Sequence, residues 1–165
     1  MQKTLGKERL CRRRLNMQPT KFNPPRYFLL AILLMLGLDF LPAAPLLSAP
    51  WYWAIGVLLF LVGTGCTGQG ARLFSQAGTN IVPFSESTTL VTHGLYAYTH
   101  NPMYLGMVIA LAGIAFFLNE RWPWLVIPAF AALIQWRFIH HEEQLMETTF
   151  GDAYLAYKSR VRRWL

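Results

Sequence analysis

The sequence predicts an all-α, polytopic membrane protein of about four transmembrane helices arranged as two hairpins. Three observations carry that expectation. Of 165 residues, 54% are hydrophobic and only 14% charged, against roughly a quarter charged in soluble domains. The apolar residues gather into four blocks instead of recurring at helical or strand periodicity. The basic residues, which give a formal net charge of +7, cluster at the two ends of the chain, as cytoplasmic flanks of membrane spans do.

Residues 1–26 read as a basic cytosolic arm carrying Lys3, Lys7, Arg9, Arg12, Arg13, Arg14, Lys21 and Arg26. A run of this kind directly before a span is a topology signal rather than a nucleic-acid surface. Residues 27–165 are expected to form one membrane domain. Its first span, 27–47, is long enough to cross a ~30 Å hydrocarbon layer and is interrupted by Asp39, Pro42 and Pro45. It is too long for a cleavable leader and lacks a clear small-residue cleavage site, so it should stay in the membrane. Met17 offers an alternative start. Ser48-Ala49-Pro50 then leads directly into the second span, 51–71, which leaves room only for a helical hairpin. The third and fourth spans, 103–118 and 122–139, meet at Asn119-Glu120-Arg121 and are kept from merging by Pro123.

Four spans put the loop 72–102 and the tail 140–165 on the side of the amino terminus. Fourteen of the fifteen Lys and Arg residues fall on that side and only Arg121 on the other. Both termini are therefore expected in the cytosol, with the chain multi-pass in the cytoplasmic (inner) membrane. Trp51, Trp53, Trp122 and Trp124 then fall at the opposite interface, where amphipathic rings anchor helix ends. Cys11 and Cys66 show no metal spacing and read as free thiols.

The long loop is the first place where chemistry is expected. Connections of about thirty residues in a compact chain are functional or disordered, and this one contains Leu90-Val91-Thr92-His93-Gly94-Leu95-Tyr96 and Thr99-His100-Asn101-Pro102-Met103-Tyr104, with too many aromatic and β-branched residues for a disordered linker. The second polar concentration is Arg137, His140, His141, Glu142 and Glu143. On a helix, residues three and four apart share a face, so His140 lies beside Glu143, while Glu142 and Glu143 diverge by about 100°. Adjacent His and Glu residues on one helix do not converge on an ion, so no metal is expected. Solvated helix-end charge is the plain alternative for these carboxylates. His93 and His100 are either bases or hydrogen-bonding loop residues.

Leu90-Val91-Thr92-x-Gly94-x-Tyr96, Asn101-Pro102-Met103-Tyr104-Leu105-Gly106, Glu142-Glu143 and Phe150-Gly151-Asp152-x-Tyr154-x-x-Tyr157 occur in an order and spacing that resemble the isoprenylcysteine carboxyl methyltransferase and phospholipid methyltransferase superfamily. The resemblance runs over roughly residues 78–160. It implies an integral membrane enzyme using S-adenosylmethionine, held in a cytosolic pocket of the loop and the carboxyl-terminal helix. Carried over by position, Thr88, Thr89, Leu90, Val91 and Tyr96 contact the cofactor. Asn101, Pro102 and Tyr104 shape its pocket, backbone amides near Gly94 meet its carboxylate, and Glu142 or Glu143 holds its ammonium or diol. His100, Asn101 and Tyr104 are the expected catalytic residues, and Arg137 and His140 the expected substrate contacts. The family usually reads Arg-His-Pro or Arg-Asn-Pro where this chain reads His100-Asn101-Pro102, so a customary guanidinium is missing.

Methyl transfer is an in-line displacement that needs placement more than a protein nucleophile. A carboxylate acceptor needs no base, whereas a thiol or amine must lose a proton, to which His93, His100 or His140 would be suited. The expected partners are membrane lipids and a lipophilic or small methyl acceptor: an isoprenylcysteine carboxylate, a phospholipid amine or a thiol. Two alternatives stand beside this. One is a nicotinamide-dependent membrane reductase related to sterol reductases, for which the loop offers only Arg72. The other is a non-enzymatic membrane protein with a decayed cofactor pocket.

Overall fold

A computed structural model of the chain describes residues 23–42, 44–48, 50–77 and 89–164. Thr88, Cys11, Met17, most of the basic arm and the Gly78-Thr79-Asn80 part of the loop lie outside the described residues. Among the described residues the chain is helical, with no strand beyond one isolated bridge between Thr99 and Arg162.

Helix α1 (Pro24–Leu38) starts on two prolines, whose fixed φ suits a first helical turn. It ends at Leu38, earlier than the expected span end at residue 47. Pro42 and Pro45 cannot continue a helix, and the described residues between 39 and 50 are irregular and reach the end of the bundle where α3 stops. There the amides of Leu46 and Leu47 donate to the backbone carbonyl and Oδ1 of Asn119, and Asn119 Nδ2 donates to the Leu47 carbonyl. Asn119 itself adopts φ +58°, a left-handed helix end that asparagine tolerates.

Helix α2 (Tyr52–Gln76) has 25 residues, more than the ~20 needed to cross a bilayer. Helix α3 (Pro102–Leu118) runs antiparallel to it, and these two make the most extensive helix pairing of the fold. The buried residues of α2 are Gly56, Gly63 and Gly70, spaced by seven. A Cβ on Gly56 would stand 2.8 Å from the Gly113 carbonyl oxygen, and one on Gly63 would stand 2.5 Å from the Gly106 carbonyl oxygen. Small residues let the backbones touch, which is how apolar helices associate where burial from water drives nothing. Thr67 locks the register by donating from Oγ1 to the carbonyls of Gly63 and, across the seam, Met103.

A continuous helical rod, Trp122–Phe150, follows. It opens with a 3₁₀ turn (Trp122–Leu125), continues as α4 (Val126–Ile134), widens into a π turn (Gln135–Ile139) and resumes as α5 (His140–Phe150). Its apolar part ends at Ile139, and α5 is polar. Helix α1 packs on α3 and α4 rather than on α2, so its nearest partners are not its neighbour in the chain. Met35, Leu111, Ile134, Phe138 and Ile139 fill the core, and Tyr27 meets Phe138 edge to face at 5.4 Å. Leu29, Leu30, Leu33 and Leu34 of α1 and Leu58, Leu61 and Val62 of α2 point outward and are exposed, the inside-out distribution expected where the surrounding medium is hydrocarbon.

The chain then turns sharply at Gly151, where φ +53° and ψ −126° fall in territory that side chains avoid. This bend folds α6 (Asp152–Arg160) back toward the loop.

Candidate active site

The loop, α5, α6 and the last residues of the chain meet at one end of the bundle. Gly94 (φ +64°) opens a single 3₁₀ turn, Gly94–Ala97, that buries Tyr96. The ring of Tyr96 packs edge-on against Phe74 of α2 at 5.1 Å, and its carbonyl accepts a 2.6 Å hydrogen bond from the Tyr157 hydroxyl. Asn101 is buried at the start of α3. Its amide donates to Thr99 Oγ1, its carbonyl receives the Leu105 amide, and its Nδ2 donates to the Arg163 carbonyl. Pro102 follows as the first residue of α3 and is likewise buried.

The paired glutamates do different things. Tyr104 donates 2.8 Å to Glu142 Oε1, so Tyr104 reaches the site through that carboxylate. Glu143, only 6% exposed, receives both Nε and Nη2 of Arg163 at 2.6 and 2.8 Å, with Lys158 Nζ 3.3 Å from Oε2. A forked guanidinium on a carboxylate is the strong form of a charged hydrogen bond. Lys158 also bridges to Glu147 at 2.7 Å. The divergence of adjacent helical positions explains the division of labour: one carboxylate faces Tyr104 and the other the carboxyl-terminal tail.

These segments enclose a pocket lined by Phe74, Thr89, Leu90, Val91, Tyr96 and His100 on the α2 and loop side, with Asn101, Glu142, Glu143, Met146, Tyr154 and Tyr157 completing it. Its enclosed part is about 70 Å³, well below the ~300–1,000 Å³ of small-molecule sites. A nucleoside-sized ligand therefore requires the pocket to open. Residues 78–88, which join α2 to Thr89, lie outside the described residues.

His100 lies in this pocket with both ring nitrogens buried and no hydrogen-bond partner among the described residues. Its ring leans on Tyr157 at 4.9 Å and on Tyr154 at 6.2 Å. Burial lowers its pKa; the Glu143 charge works against this, and Lys158 and Arg163 reinforce it. Burial likewise pushes Tyr157 up to about 12, and burial with the Glu142 and Tyr157 charges raises Tyr96 further. All three side chains are neutral at pH 7.

Of the residues expected from the sequence, Thr89, Leu90, Val91, Tyr96, His100, Asn101, Glu142 and Glu143 line the pocket. Gly94 does not; it makes the turn that aims Tyr96. Pro102 and Tyr104 support the lining from behind. Arg137 and His140, the expected substrate contacts, are exposed and do not line this pocket, because the π turn and α5 present Phe138, Ile139 and Glu143 inward instead. The sequence reading missed Phe74, Met146, Lys158 and Arg163. Tyr154 and Tyr157 were visible as a motif, and their spacing of three, which shares a helix face, was the available sign that both point one way. Among the described residues no three His, Cys, Asp or Glu side chains gather as a metal-binding group.

The phospholipid methyltransferase family matches residues 51–153. The chain is 31% identical over 118 residues to protein-S-isoprenylcysteine O-methyltransferase of Mus musculus, covering 67% of this chain and 40% of that enzyme. It is 30% identical over 146 residues to protein-S-isoprenylcysteine O-methyltransferase A of Arabidopsis thaliana, covering 82% of this chain and 72% of that protein. Its fold matches the solved structure of a eukaryotic intramembrane Ras methyltransferase, isoprenylcysteine carboxyl methyltransferase, with a TM-score of 0.65 at 23% identity over 90% of this chain and 57% of the other. The chain belongs to the membrane superfamily of isoprenylcysteine carboxyl and phospholipid methyltransferases. It spans less than half the length of the mouse enzyme.

Proposed function

We propose that this chain is an S-adenosylmethionine-dependent methyltransferase acting on a lipophilic or small acceptor at the cytosolic face of the membrane. One observation supports the reading above others: eight residues that the family pattern marks as cofactor contacts or as catalytic, scattered from Thr89 to Glu143, line a single pocket. The donor set fits the cofactor. Glu142 offers a carboxylate for an ammonium or a ribose diol, Tyr96, Tyr154 and Tyr157 offer ring faces for a cation, and His100 offers two unpartnered nitrogens. When bound, S-adenosylmethionine supplies an electrophilic methyl group. The chain's own part is to hold the acceptor in line and exclude water, placement worth up to ~7–11 kcal/mol of barrier.

The same reading gives the chain four spans with both termini cytosolic. Two helices, Tyr52–Gln76 and Trp122–Phe150, are long and apolar enough to cross alone. Helices α1 and α3 are shorter and apolar, and α3 is bound along the length of α2, so it crosses with it. The basic ends and the Arg121 exception support the orientation. The acceptor belongs to the chemistry of the named relatives: an isoprenylcysteine carboxylate, a phospholipid amine or a thiol.

Titration calorimetry of the detergent-purified protein with S-adenosylhomocysteine tests the reading directly. Binding is expected in the parent, and Glu142→Ala should weaken it by ~1.5–3 kcal/mol, the scale of a hydrogen bond to a charged group. A parent that binds nothing under these conditions would sink the proposal.

A further inference from the structure

We propose that Arg163 is the positioning residue of this pocket: it clamps both oxygens of Glu143 and lends its carbonyl to Asn101 and Thr99, and so holds the turn that presents the two ring nitrogens of His100 to the ligand. The proposal rests on the reading of the pocket as a cofactor site for the ligand's identity, and on the structure alone for the positioning.

Buried polar atoms are nearly always paired. His100 is an exception on both nitrogens, inside a pocket, which is what a group reserved for a ligand looks like. Its ring has no polar anchor, so its direction depends on the backbone and on the flanking tyrosines. That backbone is tied to the carboxyl-terminal tail. The His100 amide donates 3.0 Å to the Arg162 carbonyl, Thr99 Oγ1 donates 3.2 Å to the Arg163 carbonyl, and Asn101 Nδ2 donates 3.0 Å to the same carbonyl. The tail is itself pinned twice: by the Arg163 fork on Glu143, and by Trp164 Nε1, which donates 2.9 Å to Gln135 Oε1 at the π turn. Without the fork, the carbonyl that Asn101 and Thr99 share would be anchored through Trp164 alone.

The fork also sets the charge around the imidazole. The groups that face His100 are Glu143 of α5, Tyr154, Tyr157 and Lys158 of α6, and Arg163 of the tail. With both oxygens of Glu143 engaged, the carboxylate serves the tail, and Glu142 is left to serve the ligand. Removing Arg163 would leave Glu143 with Lys158 alone and take away one of the two cations that face His100. Removing the Glu143 charge would leave His100 facing two cations. Loss of charge alone moves the His100 titration in opposite directions in the two variants, whereas a collapse that exposes the ring would raise it in both; positioning is read from Arg163→Lys, which keeps the charge and loses the fork.

The test uses the full chain in detergent, with carbon-13-labelled histidine and the His100 signal assigned by its loss in His100→Gln. Arg163→Ala is expected to move the His100 titration to higher pH, and Glu143→Gln to lower pH. In the same preparations Arg163→Ala should weaken S-adenosylhomocysteine binding at least tenfold at pH 7.5. Arg163→Lys, which keeps the charge but cannot engage two oxygens in a fork, should weaken it at least threefold, and it carries the test if the alanine variant does not fold. Titrations that move in the same direction or stay in place, or parent-like binding by Arg163→Lys, would overturn the proposal. A parent that binds no S-adenosylhomocysteine would remove the cofactor reading, and a His100 signal in Arg163→Lys identical to the parent's in shift and titration would still overturn the positioning.

Discussion

His100 occupies the position where the family pattern offers a permanent charge, and the structure gives it a neutral imidazole. The sequence leaves room for a protonated histidine standing in for arginine. Burial, with the adjacent cations Lys158 and Arg163, favours the uncharged form over the opposing Glu143 charge and weighs against that substitution of roles. The sign of the pH dependence follows. Below the ordinary histidine pKa of ~6.5 the unfolded chain protonates this imidazole before the folded chain does, so acid weakens the folded, ligand-competent form. Above that value neither state carries the proton, and the contribution is flat. The imidazole's share of S-adenosylhomocysteine affinity should therefore be level above pH ~6.5 and decline below, a decline that His100→Gln removes. Glu142, pushed up to about 7 by burial against the opposing Tyr104 hydrogen bond, adds its own loss of the charged form as pH falls through 7. Affinity that rises toward pH 6 would mean that the charged imidazole is the binding form. Most of the pocket's residue types were legible because loop motifs are local. Arg163 was not, since its partner Glu143 lies twenty positions away and a basic tail residue reads equally well as a topology signal.

At the scale of elements, the helices themselves were legible and their pairing was not. Apolar blocks declare spans by bulk, but the contact between α2 and α3 is made by the smallest residues, at positions 56, 63, 70, 106 and 113, which carry almost no hydropathy. The seven-residue spacing was the signal in plain sight. The early end of α1 at Leu38 has a local cause, the prolines at 42 and 45, yet what holds the following segment is Asn119, more than seventy residues on. Gly106→Val should destabilise the pair by ~1–3 kcal/mol or more, since its Cβ would meet the Gly63 carbonyl oxygen at 2.5 Å. Gly65 and Gly68, on the partner helix α2, have nothing within 4 Å of an added Cβ. Alanine at either should be neutral or stabilising by up to ~1 kcal/mol, the gain in helix propensity. Thermal midpoints of the three variants in detergent make the comparison, and equal losses in all three would argue against a seam.

For the whole molecule, composition and charge asymmetry go a long way, because a membrane rewards bulk apolarity and the cell reads basic flanks. A cysteine placed at Glu120 should react with an impermeant thiol reagent only from the side opposite the loop, and a reporter fused after Leu165 should be active only on the cytosolic side. Labelling of position 120 from the cytosolic side would break the four-span arrangement. The shape of the bundle, inside-out with its leucines facing outward, follows from the same solvent logic. The glycine seam has a consequence at this scale. Each step of seven residues along α2 is ~10 Å of rise, and a slip by one step would bring Gly56 opposite Gly106 but keep only that one close glycine pair of the native two. Thr67, reaching across to the Met103 carbonyl, distinguishes the native setting from that neighbour. The pair behaves like a vernier: repeated marks make sliding cheap to imagine, and one off-scale hydroxyl fixes the depth at which Asn101, and the turn before it, meets the water.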